Sequence, residues 1–188
     1  MNPLYAAALD VQTFCTARGW ASSVIGGVAV QRWGEPRQTR DVDLALLTGL
    51  GGEERFVDPI LSAYAPRLPD ARAFALEHRV ILVETSSRIP IDISLAGLPF
   101  EERVIARSSA LEVETGRMLI TCSAEDLVVL KAFAGRVQDW LDIEAVIVRQ
   151  GRRLDRSRVL EEVVPLLDLK EDAESEPRLR RLFDRHPI

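Results

Sequence analysis

The chain has 188 residues, 47% hydrophobic and 28% charged, with a formal net charge of −5. That length supports one globular domain burying about two-thirds of its unfolded surface, so the core needs neither disulfides nor structural metal. The acidic balance argues against a protein whose main task is blanketing nucleic-acid phosphates, while leaving room for a local basic groove.

In chain order, Leu4, Ala7, Ala8, Val11 and Phe14 predict a first helix over 4–17 that stops at Arg18-Gly19. Ser22 to Ile25 reads as a short strand running into Gly26-Gly27, and 28–33 as one or two helical turns ended by Gly34 and Pro36. Asp41 to Leu47 alternates as a strand, a Gly-rich turn covers 48–52, and 53–65 is helical. Pro66 and Pro69 bracket a break before a weaker helix at 70–77. Arg79 to Glu84 and Ile89 to Leu95 form a hairpin, followed by a helix over 99–107 and a second hairpin, 110–114 with 117–121. From Ser123 onward the pattern is helical: 123–134, 138–150, 156–168 and 176–185. The expected organisation is an α/β lobe over 1–121 and a helical lobe over 122–188 packed on it.

Cys15 and Cys122 lie far apart with no CxxC and no histidine cluster, so neither a zinc site nor a disulfide framework is indicated. The opening Met1-Asn2-Pro3-Leu4 lacks the basic start and apolar core of a signal peptide, and no apolar run reaches membrane-spanning length. A cytoplasmic protein with no membrane attachment is expected. Only two of the 24 basic residues are lysines, Lys131 and Lys170.

The chemistry concentrates in Gly26-Gly27 and, after thirteen further residues, Asp41-Val42-Asp43-Leu44. Side chains two apart on a strand share a face, which sets Asp41 and Asp43 together, about 7 Å apart along the backbone. Paired carboxylates repel, and a divalent cation offsets that cost; oxygen-only ligands favour magnesium or manganese. Asp92 is a third in-strand acid, with Ile89, Ile91, Ile93 and Leu95 on the opposite face. If its strand lies beside the Asp41 strand, the three acids converge on a site for two cations roughly 3.5 to 4 Å apart, as in-line phosphoryl transfer uses. Gly26-Gly27 suits a phosphate cradle at a helix N-terminus, although any strand-to-helix turn carries glycines.

The runs Ile25-Gly26-Gly27-Val28-Ala29-Val30 and Arg37-Gln38-Thr39-Arg40-Asp41-Val42-Asp43-Leu44 resemble the signature of the DNA polymerase β-type nucleotidyltransferase superfamily. Within it they are most like the minimal nucleotidyltransferases and the AbiEii-type toxin enzymes. A further segment, Lys131 with Arg136, Asp139 and Asp142, matches those families' C-terminal lysine and R-x-x-D-x-x-D run, so the resemblance covers about 22–147.

The resemblance implies an α/β (α+β) nucleotidyltransferase fold: a short mixed sheet flanked by helices in a catalytic lobe, then the helical lobe. It implies Asp41, Asp43 and Asp92 as catalytic and metal-binding residues with Mg2+ or Mn2+. Gly26, Gly27, Thr39, Arg40 and Lys131 would contact a nucleoside triphosphate, supported by Arg37, Arg136, Asp139 and Asp142. The acceptor would be tRNA or a protein, with a cognate antitoxin as partner if the chain is a toxin. Similar motifs in aminoglycoside and lincosamide nucleotidyltransferases leave a small antibiotic open, and a non-catalytic nucleotide-binding or antitoxin-like partner is the alternative. Many members carry Gly-Ser where this chain has Gly26-Gly27, and Gln138 stands where a basic residue is common.

Each later residue has a structural reading too. Lys131 suits a helix surface, Asp126 a capping box with Ser123, and Asp139 and Asp142 the first turns of a helix, where Arg136 could pair with them. Arg149, Arg152, Arg153, Arg156 and Arg158 could line an RNA path or end a solvated helix.

Overall fold

The computed structural model describes residues 2–187. Helices and strands follow in the order α1 (Pro3–Thr16), β1 (Ser22–Ile25), α2 (Gly26–Trp33), β2 (Val42–Leu47), α3 (Glu54–Ala63), β3 (Ala65–Pro66), α4 (Ala71–His78), β4 (Val80–Glu84), β5 (Pro90–Ala96), α5 (Pro99–Ala106), β6 (Ser109–Glu114), β7 (Arg117–Thr121), α6 (Ala124–Ala134), α7 (Val137–Gln150), α8 (Arg156–Lys170) and α9 (Ser175–Arg185), with a single 3-10 turn at Gly151–Arg153. No helix among the described residues is long and apolar enough to cross a membrane.

The chain divides into two units. The first comprises the residues up to Val28 with Gln38–Cys122, the second Ala29–Arg37 with the residues from Ser123 onward. The stretch 29–37, read from sequence as part of the N-terminal lobe, therefore groups with the C-terminal helices. Its contacts explain this: Arg149 donates to the carbonyls of Gln31 and Gly34, and Gln150 Nε2 to the carbonyl of Trp33.

The first unit is built on a seven-stranded sheet in the order β3-β4-β5-β2-β1-β7-β6. β2 runs parallel to β5 and β1 parallel to β7, and the other neighbours are antiparallel, so the sheet is mixed. Period-2 alternation places Val42, Leu44 and Leu46 of β2 on one face with Ile91, Ile93 and Leu95 of β5 and Ile81 and Val83 of β4. All are buried, and Ala7, Ala8 and Val11 of α1 close over them together with Phe56, Val57 and Ile60 of α3. Each such aliphatic side chain contributes roughly 1.5–3 kcal/mol by leaving water. The charged members of the same strands are thereby forced to the opposite face.

Most element boundaries shift by one or two residues from the sequence reading, α2 starting at Gly26 rather than 28, and two shifts bear on the site. The 53–65 helix ends at Ala63, because Tyr64 is extended (φ −120°, ψ 146°) and leads into the two-residue strand β3, too short to leave a periodic pattern. The strand expected from Asp41 starts at Val42, and Asp41 sits in the bend before it.

The second unit holds α6–α9. Ser123 caps α6 by accepting from the Asp126 amide (3.1 Å), and its hydroxyl donates to Asp126 Oδ2 (2.7 Å), so Asp126 supports the N-cap through the Ser123 hydroxyl. Asp139 at the start of α7 accepts from the Arg136 amide (3.2 Å) and fixes the corner after α6.

Candidate active site

In the first unit the parallel register pairs Asp43 directly with Asp92, on the face turned away from the core. The adjacency on which the convergence of the acids depended is therefore present. Asp41 lies one pleat before Asp43, and its carboxylate accepts from Thr39 Oγ1 (2.9 Å). All three acids are half-buried. Burial pushes the Asp92 carboxyl above its usual range, the Arg67 guanidinium pulls it back, and the charge of Asp41 raises it further.

The glycine pair is explained by these side chains. Gly26 follows β1 as the first residue of α2, has φ +59°, and a Cβ there would fall 1.8 Å from Asp43 Oδ2. At Gly27 a Cβ would fall 2.4 Å from Thr39 Oγ1. The Gly27 amide points to Asp43 Oδ2 at 3.4 Å, at the start of α2. Glycine is thus required where the backbone passes against the acid-bearing strand. Arg40 is exposed beside Asp41.

As a donor set for a cation, this face offers carboxylate oxygens only, which suits a hard divalent ion such as Mg2+ or Mn2+. Among the described residues, however, no three or more His, Cys, Asp or Glu side chains are grouped closely enough to hold a metal ion. Asp92 Oδ1 is, in addition, held in an ion pair with Arg67 Nη2. The donor type suits the ion, while the three carboxylates are not gathered on one point and one of them is engaged by Arg67. Arg67 went unnoticed in the sequence, since its position depends on the order of strands in the sheet.

In the second unit the structure unites the remaining candidates. Lys131 Nζ lies 3.0 Å from Asp139 Oδ1 and 2.7 Å from Asp142 Oδ2. Arg37 forks onto Asp142 (2.6 and 2.8 Å), and Arg136 Nε reaches Asp139 Oδ2 at 2.7 Å. Lys131 is only 5% exposed, so the surface-lysine reading does not describe it; two carboxylates hold its ammonium. Burial alone would raise the carboxyl of Asp142, but hydrogen bonds from Arg37, Lys131 and Gln138 with the Lys131 charge hold it down at about 2. For Asp139 the burial effect is likewise outweighed, by Arg136 and Lys131, and its carboxyl is lowered.

The basic cluster divides: Arg149, Arg152 and Arg153 are exposed, while Arg156 and Arg158 are half-buried. Arg156 donates to the carbonyls of Phe183 and His186, Arg153 to that of Arg149, and Arg158 pairs with Glu125 at 2.8 Å. Arg149 also donates to the Gly34 carbonyl, so Arg149, Arg153, Arg156 and Arg158 each bond within their own unit.

No protein-family model matches the chain, and no curated protein matches it. Among solved structures it is similar to an antigenic nucleotidyltransferase-like protein from Paracoccidioides brasiliensis, with TM-score 0.52 and 12% identity over 96% of this chain and 87% of that one. It is also similar to the antibiotic-resistance factor ANT(2'')-Ia, with TM-score 0.52 and 17% identity over 88% of this chain and 92% of that one. At such identities the likeness is one of architecture: the mixed α/β fold of this chain is that of nucleotidyltransferase-like proteins.

Proposed function

We propose that the chain transfers a nucleoside monophosphate from a nucleoside triphosphate to an acceptor. The observation that carries this reading is the pairing of Asp43 with Asp92 across parallel strands, on the polar face, beside a glycine turn shaped to the side chains of Asp43 and Thr39. The nucleotidyltransferase-like fold supports it.

Asp41, Asp43 and Asp92 would hold Mg2+ or Mn2+, which when bound neutralises triphosphate charge and favours the ionised acceptor hydroxyl. The Gly26-Gly27 turn opens α2 beside these acids, where a helix N-terminus favours the triphosphate's charge, and Thr39 keeps Asp41 oriented with Arg40 beside it. The acceptor oxygen attacks the α-phosphorus, the bond from that phosphorus to the β-phosphate oxygen breaks, and pyrophosphate leaves. Asp92 takes the acceptor proton.

The acceptor is tRNA or a protein on the sequence resemblance to AbiEii-type enzymes, in which case a cognate antitoxin is the expected partner. The likeness to ANT(2'')-Ia, named as an antibiotic-resistance factor, supports a second reading with a small antibiotic as acceptor. Incubation of the full chain with each α-labelled nucleoside triphosphate, Mg2+, and in turn total tRNA, lysate protein or an aminoglycoside separates them by where the label goes. Transfer should disappear in Asp43→Asn. No label on any acceptor, with nucleotide still bound, would instead support a non-catalytic binding protein.

A further inference from the structure

Arg67 reaches the acidic face by a route that the sheet register specifies. β3 pairs with β4 through Ala65↔Glu84 and Pro66↔Val83, and the Arg67 amide continues the ladder by donating to the Leu82 carbonyl at 3.0 Å. Leu82 is the register partner of Asp92, Asp92 of Asp43, and Asp43 of Ile25. Arg67, Leu82, Asp92 and Asp43 therefore lie in one row across the sheet. Strands sit about 4.8 Å apart, so an arginine two strands from Asp92 spans the gap over the half-buried Leu82. Its guanidinium ends on Asp92 Oδ1, with side-chain exposures of 27% for Arg67 and 34% for Asp92.

We propose that Arg67 is a tethered counterion that occupies Asp92 in the nucleotide-free protein and is displaced when a triphosphate and its divalent cation arrive. This rests on the reading of Asp41, Asp43 and Asp92 as the cation-binding set. A guanidinium and a divalent cation compete for the same carboxylate oxygen and repel one another, so Arg67 weakens binding of the cation by itself. The triphosphate removes the conflict: it supplies anionic oxygens for the guanidinium and frees Asp92. The fold thereby makes cation and nucleotide bind together, a coupling that is reciprocal by linkage.

The test is Mn2+ titration of the full chain, followed by electron paramagnetic resonance, with and without a triphosphate analogue that cannot be cleaved at the α-phosphorus. In Arg67→Gln, Mn2+ alone should bind about tenfold more tightly than in the unmodified protein, as expected for removing one positive charge several ångströms away. The analogue should then strengthen Mn2+ binding less in the variant than in the unmodified protein. Should Arg67→Gln not fold, Arg67→Met, which keeps the stem over Leu82, carries the same comparison. A merely structural ion pair would lower Mn2+ affinity on removal, and equal or weaker binding in the variant overturns the proposal. If that equal binding is abolished by Asp43→Asn, the cation reading survives without the counterion. Absence of Mn2+ binding to every form overturns both.

Discussion

Gly26 and Asp43 are fitted to one another so closely that a Cβ on residue 26 would sit 1.8 Å from Asp43 Oδ2, 2.5 Å from its Cγ and 2.7 Å from its Cβ. The displaced group is a short side chain anchored on the central strand β2, which has no flexible end to swing away. The glycine also adopts φ +59°, costly for any residue with a Cβ. The glycine turn and the acid strand are therefore one construction.

Gly26→Ala should cost about 2 kcal/mol or more, roughly 1–2 kcal/mol from the left-handed backbone alone, and should move Asp43. Urea unfolding would read the stability loss, and Mn2+ titration the disturbed carboxylate. A variant with unchanged stability would show that the turn relaxes freely.

Gly27 tests the same idea with a partner that can be removed. A Cβ there would meet Thr39 Oγ1 at 2.4 Å, Cβ at 2.8 Å and Cγ2 at 3.3 Å, all side-chain atoms. Gly27→Ala should destabilise the protein, and Thr39→Gly in the same chain should restore part of that loss. The double variant would still lack the Thr39 hydrogen bond to Asp41, so nucleotidyl transfer should stay impaired although the fold recovers. Strict additivity of the two stability changes would break the argument, because contacting residues couple.

The acids were legible because a strand has period 2. Ile91, Ile93 and Leu95 claim one face of β5 and leave Asp92 on the other, as Val42, Leu44 and Leu46 do for Asp43. Arg67 was not legible, since its partner is set by strand order and its own strand has two residues. Lys131 was placed on the right helix but on the wrong side of the surface. α6 buries Leu127, Val128, Val129 and Ala132 as well as Lys131, so almost no polar face remains to betray which side is wet. The pairing of Arg37 with Asp142 joins residues 105 apart in sequence, and no local pattern reports that contact.

Lys131 is the central cation of the network, its ammonium shared by Asp139 and Asp142. Removing one partner from a buried ion pair costs about 3–5 kcal/mol, because it leaves uncompensated charge in a dry site. Lys131→Met should lower the thermal midpoint by on the order of 10 °C for a chain of this size. Lys131→Arg should also destabilise it, since a planar guanidinium cannot replace a compact ammonium between two carboxylates without moving them. If calorimetry finds Lys131→Met as stable as the unmodified chain, the network does not hold the helices.

Acid should loosen this same network in a defined window. The Asp142 carboxyl is held at about 2 in the folded protein by Arg37, Lys131 and Gln138 against the opposing effect of burial. Its unfolded value is about 3.9. A carboxyl lowered by folding lets the unfolded chain bind its proton first, so the stabilisation is fully present above about pH 4 and fades as pH falls through the folded value. The contribution is on the order of 2 kcal/mol at neutral pH, and Asp139, lowered for the same kind of reason, adds to it in the same direction. Unfolding free energies measured by urea titration from pH 7 down to pH 2 should therefore fall most steeply below pH 4. Asp142→Asn should begin less stable and show a shallower slope there, because the titrating group is gone. An identical slope in the variant would mean that the acid sensitivity of the protein arises elsewhere.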